Sequence, residues 1–96
     1  DERPVSVPLG EEETGAILGA YATSGPGGAR LEVALQRGAV MLQRAGGTAR
    51  GLVHLGGLVF QPVGAERVRV SFVRAGRDVT MTVRDRVVML DARRLP

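Results

Sequence analysis

The sequence predicts an all-β fold: a single antiparallel up-and-down barrel or half-barrel of seven to eight short strands, with a short helical turn near its N-terminus. Three observations predict it. Apolar and polar residues alternate in several short segments, turns separate these segments at intervals of about eight to twelve residues, and the connections are too short for crossover helices. Because each strand then has one apolar face, curling into a barrel would bury that face and remove exposed edges.

The N-terminal region divides into a lead-in and the start of the barrel. Residues 1–10 contain two prolines and no sustained period, which predicts an extended linker, and residues 11–96 form the barrel-like domain. A run of three glutamates suits the first turn of a helix. We therefore expect a helical turn at about 11–15 that continues into a strand containing Leu18 and Ala20.

The remaining strands are predicted from alternation with a period of two. They are expected at residues 29–36, 39–44, 48–55, 58–63, 67–74, 79–84 and 87–95. The clearest is 67–74, in which Val68, Val70 and Phe72 point to one side. Pro62 places the end of its strand at a sheet edge or at its finish, because proline cannot donate to a ladder.

Length and composition exclude several classes of protein. Ninety-six residues form one domain, because two would have cores too small to be stable. The absence of cysteine excludes a disulfide framework, thiolate catalysis and cysteine-ligated zinc, but it does not identify the compartment. No apolar run reaches the length of a membrane-spanning helix. The chain begins at Asp1 without methionine, so we expect a processed chain or a domain cut from a longer one.

The positive charges are all arginine, as codon usage in a GC-rich genome would give. The first thirteen residues are acidic, whereas residues 14–96 carry twelve arginines and five acids. The candidate face for an anionic partner consists of Arg67, Arg69, Arg84 and Arg86, with Arg93 and Arg94 on the same outer side. No aromatic side chain is interleaved with these arginines, so single-stranded nucleic acid is a minor alternative.

No catalytic, cofactor-binding or metal-binding residues are predicted. His54 is the one histidine, and without a second histidine or any cysteine it is assigned a structural or surface role. Ser6, Ser24 and Ser71 lie outside any G-x-S-x-G pattern. The glycine-rich loop at 25–28 lacks the Lys-Ser/Thr of a phosphate-binding loop.

The candidate interior or ligand-lining residues are the three aromatic residues and one methionine, namely Tyr21, Phe60, Phe72 and Met81.

The order of short motifs resembles a known accessory domain. The motifs are LGAY, the hairpin LEVALQRGAVMLQ, LVFQP, VRVSF and the closing ARRL, spread over residues 11–95. This order resembles the lipocalin-like C-terminal accessory domain of bacterial serine beta-lactamase-like and penicillin-binding-type hydrolases. The resemblance implies a barrel without catalytic residues in a secreted or periplasmic enzyme, where it shapes the active-site region or supports oligomerisation. The chain has no S-x-x-K motif, so the enzyme's activity does not transfer.

The resemblance implies structural roles for the residues of the matching motifs. Gly19 would let strand backbones pass closely, and Tyr21 would close one barrel end with its hydroxyl in water. Phe60 would fill the interior with Phe72. One of the two arginines in the ARRL motif would close the barrel end against a carboxylate.

Three functions are expected from these observations. The first is a non-catalytic accessory or interaction domain, with a catalytic domain or another protein as its partner. The second is a free-standing lipocalin-like barrel that binds a small apolar ligand in its interior. The third is a basic surface for nucleic acid or another anionic polymer. The sequence leaves a cytoplasmic location, the oligomeric state and the ligand open.

Overall fold

The computed structural model describes residues 7–23, 28–85 and 89–95, which form a closed barrel of eight antiparallel strands. The elements are helix α1 Glu11–Ile17 and strands β1 Gly19–Thr23, β2 Arg30–Gln36, β3 Ala39–Arg44, β4 Arg50–Gly56, β5 Val59–Pro62, β6 Arg69–Ala75, β7 Asp78–Arg84 and β8 Met89–Arg94. The predicted all-β barrel with a short helical turn is confirmed. In the described ranges, no helix has the length and apolar character needed to span a bilayer.

Some sequence predictions fall outside the described residues. They concern the lead-in up to Ser6, the loop residues from Ser24 to Gly27, and the turn position Arg86.

The barrel is an up-and-down meander, in which each strand pairs with the next and β1 pairs with β8. The closing ladder places Tyr21 opposite Arg94. The β3–β4 ladder is short, with only the register pairs Met41–Gly51 and Leu42–Arg50 among the described residues. Farther along β4, the N–H of Val7 donates to the carbonyl oxygen of His54 over 2.8 Å. The chain ahead of α1 therefore bonds to a part of β4 that β3 does not pair.

Large side chains fill the barrel interior near the helix. Tyr21, Phe60 and Met81 are fully buried, and Phe72 is nearly so. The ring of Phe72 packs edge-on against both other aromatic rings, with centroids 5.8 Å from Tyr21 and 5.6 Å from Phe60. Such edge-to-face pairs stabilise a core beyond the area that they bury. Packed side chains thus fill the barrel interior over this part of its length.

In two of the predicted strands, a residue of the inward phase near the strand end is less covered than the rest of that face. Leu35 shares the inward phase of Leu31 and Val33 but is 48% exposed. It lies next to the last residue of β2, beside the hairpin turn, where few neighbours cover it. Val68 precedes β6 and is only half-buried. Alternation therefore predicted the phase of these residues but not how far the covered core extends.

The β2–β3 turn contains a strained arginine. Arg37 and Gly38 have φ angles of 52° and 80°, the left-handed pair of a type I′ hairpin turn. Left-handed backbone disfavours most residues with a Cβ, whereas asparagine tolerates it.

Replacing Arg37 with asparagine is expected to raise the free energy of unfolding by about 0.5–1 kcal/mol, because it relieves this strain and creates the preferred Asn-Gly turn. Urea denaturation measures the change. Arg77→Asn is the matched control: it removes the same charge from a turn residue, and Arg77 is not among the described positive-φ positions. Equal effects in the two variants would contradict the strain argument.

Candidate functional site

Helix α1 and the chain around it close one end of the barrel. Ile17, at the end of the helix, is fully buried. Its carbonyl oxygen accepts a hydrogen bond of 2.7 Å from the hydroxyl of Tyr21. Arg94 donates to the carbonyl oxygen of Ala16 and, over 2.7 Å, to that of Arg77 in the β6–β7 turn. The last carbonyl groups of a helix lack intrahelical partners, and these two side chains supply donors for them.

This geometry corrects two roles assigned from the sequence. The Tyr21 hydroxyl was expected in water, but the side chain is fully buried and its hydroxyl bonds to the helix. Burial raises the pKa of Tyr21 to about 12, an effect that the positive charge of Arg94 partly opposes. Arg94 was placed on the outer face or against a carboxylate, but it lies in the inward phase opposite Tyr21 and bonds to carbonyl oxygens.

Gly19 has a role other than the expected close strand approach. Its φ angle is 136°, and a Cβ there would lie 3.4 Å from Cδ of Arg94. A larger residue would strain the backbone and press on the Arg94 side chain. Gly19 therefore makes room for the arginine that closes this end.

His54 anchors the chain that precedes α1. Its side chain is buried, and Nδ1 lies 3.0 Å from the carbonyl oxygen of Val7. Nε2 accepts the backbone N–H of Leu58 over 3.2 Å. With one nitrogen donating and the other accepting, the ring is the neutral imidazole. Among the described residues, no group of three His, Cys, Asp or Glu side chains is placed to hold a metal ion.

The other end of the barrel opens into a cavity of about 400 Å³. Its apolar lining consists of Leu31, Leu42, Pro62, Ala65, Val68, Val70, Val83 and Leu90. Its remaining lining residues are Arg44, Gly47, Thr48 and Arg50. The cavity is therefore a mostly apolar concave surface with two arginines on one side.

Both arginines occupy the inward phase of their strands. Arg44 is the register partner of the core residue Leu31, and Arg50 is the partner of Leu42. They stand at the end of β3 and the start of β4, so their long side chains reach the exposed rim. Sequence analysis did not single them out. The signal that would have found them is spacing, since each lies two residues from an inward leucine.

The predicted interior residues lie elsewhere in the barrel. Tyr21, Phe60, Phe72 and Met81 are buried toward the helix end, and none of the four borders the cavity. The register explains the separation. Phe72 pairs with Met81, and the next inward pair toward the open end is Val70 with Val83, which borders the cavity.

The candidate anionic-partner face is only partly assembled. Arg69 and Arg84 lie opposite each other on the exposed outer wall, and Arg67 is exposed just before β6. Arg69 donates to the carbonyl oxygens of Glu66 and Val68. These bonds hold its guanidinium near its own backbone.

A carboxylate also borders the shallow groove on the outer wall that Arg69 and Arg84 line. Asp91 lines it beside Thr82, whose hydroxyl donates to Oδ1 of Asp91 over 2.8 Å. A neighbouring negative charge weakens the attraction of this wall for an anion. The outer face therefore offers a poorer anion site than the open end.

Comparison of the chain with protein-family models, with curated proteins and with solved structures found no significant match. The choice between the closed end, the outer wall and the open end is thus made on geometry and charge. The open end combines a concave apolar surface with a few polar groups, which is the usual composition of a small-molecule site.

Proposed function

We propose that this chain is a non-catalytic β-barrel module that binds a small, largely apolar ligand in its open end. The observation that carries the proposal is the cavity of about 400 Å³ bounded mostly by leucine, valine, proline and alanine. Ligand sites in proteins typically measure about 300–1,000 Å³ and have this kind of lining.

The construction of the barrel supports this proposal. The helix end is filled by α1 and the aromatic core, whereas the lining residues Val68, Val83 and Leu90 remain only half-buried. Contiguous apolar surface exposed to water is uncommon in monomeric proteins unless something binds there. A ligand entering from the open end would remove this surface from water, which favours binding by about 25 cal/mol per Å² of apolar area buried.

The proposal is tested by filling the cavity. Val68→Trp places an indole in the cavity, and we expect at least tenfold weaker binding of the neutral fluorescent probe N-phenylnaphthylamine, followed by its emission increase. Val73→Trp is the matched control, because Val73 lies on the outer wall and is 61% exposed. Circular dichroism checks that both variants keep the fold.

Two outcomes would overturn this function. One is a native chain that does not increase the emission of the probe. The other is a folded Val68→Trp variant that binds the probe as tightly as Val73→Trp does.

We propose, as a second candidate, that the barrel serves as the accessory domain of a secreted or periplasmic serine hydrolase. What supports it is that Tyr21, Phe60 and Phe72, all from the motifs of the resemblance, pack in one interior cluster. Arg94, from the closing motif, lies opposite Tyr21. The full open reading frame tests it: an upstream domain with an S-x-x-K motif supports this role, and a reading frame without one contradicts it.

A further inference from the structure

We infer that the ligand of the open end is a single-chain amphiphile with an anionic head, such as a medium-chain carboxylate. Its hydrocarbon chain would lie on the apolar lining, and its head group would lie between Arg44 and Arg50. This inference rests on the proposed function and adds the chemical class of the ligand.

The register brings the two arginines together. Arg50 is opposite Leu42, and Arg44 lies two residues farther along β3 in the same inward phase. Such diagonal neighbours have Cα atoms about 7–8 Å apart, within reach of a common group for long side chains. Two like charges on neighbouring residues repel each other, and an anion bound between them replaces this repulsion with two attractions. The pair is thus suited to one small anionic group.

Neither guanidinium forms an ion pair or a hydrogen bond within the part of the chain that the structure describes. A side-chain ion pair there joins Arg74 to Glu12, with the nitrogen and oxygen atoms 3.5 Å apart, and involves neither Arg44 nor Arg50. No side-chain hydrogen bond of Arg44 or Arg50 occurs among the same residues. This differs from Arg94 and Arg69, whose donors bond to backbone carbonyl oxygens. The N–H donors of Arg44 and Arg50 are therefore available to bind a ligand.

The lining favours an alkyl chain over a nucleotide, whose base would be expected to stack on an aromatic side chain. The three aromatic side chains of the sequence are buried toward the helix end of the barrel, and none borders the cavity. The walls are branched aliphatic side chains, which contact a flexible hydrocarbon chain without directional requirements.

Calorimetric titration with three ligands of equal chain length tests the inference. We expect the native chain to bind decanoate more tightly than decanol and decanol more tightly than decyltrimethylammonium. The two ionic ligands are kept below their micelle concentrations and decanol below its solubility limit. The double variant Arg44→Gln/Arg50→Gln should bind decanoate about five- to twentyfold more weakly, since an exposed ion pair contributes at most about fivefold. Its affinity for decanol should be unchanged.

The matched control is Arg93→Gln, which removes an exposed arginine on β8 that does not border the cavity. It should bind decanoate as the native chain does. Added sodium chloride should weaken the binding of decanoate but not that of decanol, because salt screens the exposed charges. If the double variant fails to fold, the two single variants are measured, each with an expected loss of about two- to fivefold.

The outcomes separate this inference from the proposed function. Equal affinities for decanoate and decanol, or an unchanged double variant, would overturn the anionic head while leaving an apolar site in place. An equal loss in Arg93→Gln would also overturn it, because general charge attraction would then explain the preference. Failure of all three ligands to bind would overturn both.

Discussion

Replacing Phe60 with alanine is expected to lower the free energy of unfolding by about 3–5 kcal/mol, as large-to-small changes of buried aromatic residues do. Phe60 is fully buried, and its ring lies 5.6 Å from Phe72 and 4.9 Å from His54 between centroids. The change leaves a void among side chains that are held in place by the closed barrel. Because small domains are stable by only about 5–15 kcal/mol, much of the stability would be lost.

Equilibrium denaturation in urea, followed by circular dichroism, measures this loss. Val73→Ala is the control, since Val73 is 61% exposed and surface changes usually stay within about 0.5 kcal/mol. Losses of equal size in the two variants would show that the interior is not packed as described.

The second large effect is a loss of stability in alkali that depends on Tyr21. Burial raises the pKa of Tyr21 in the folded chain to about 12, whereas an unfolded tyrosine has a pKa near 10. Between these values the unfolded state releases the phenol proton while the folded state keeps it. Stability contributed by the neutral phenol is therefore complete below pH 10 and falls as the pH rises toward 12, by about 2–3 kcal/mol in total.

The amino-acid composition allows the ionisation of Tyr21 to be followed without interference from other side chains. The sequence has one tyrosine and no tryptophan, so the ultraviolet absorbance of phenolate reports Tyr21 alone. We expect a midpoint near pH 12 in the folded chain and near 10 in urea.

Tyr21→Phe is the control for the alkaline effect. It leaves the carbonyl oxygen of Ile17 without its donor, so it lowers stability at neutral pH by about 1–3 kcal/mol. It also removes the part of the alkaline loss of stability that ionisation of Tyr21 causes. A native midpoint near 10 would contradict the burial of the ring.

Local alternation was enough to predict the strands with one covered face. In β7, which was predicted at residues 79–84, the alternating residues Val79 and Met81 are buried. Val83, which continues the same face and borders the cavity, is half-buried. The helical turn expected at 11–15 continues to Ile17, because packing of that residue under the barrel stabilises a turn that local propensity alone does not predict.

The contacts that build both barrel ends depend on tertiary structure. His54 holds Val7, which is 47 positions away in sequence, and local alternation carries no information on such a contact. Charge, by contrast, assigns arginine to the outer face by default, whatever the phase of its position. Arg44, Arg50 and Arg94 break this rule at strand ends, where a long side chain of inward phase still reaches water or a carbonyl oxygen. The candidate site was therefore missed.

The meander has a consequence for how the chain folds. Seven of its eight ladders join neighbouring strands, so each forms by closing a short loop at small entropic cost. The β1–β8 ladder joins segments from opposite ends of the described chain. We therefore expect the hairpins to assemble early and the β1–β8 ladder to form last, which makes closure of the barrel the slow kinetic step.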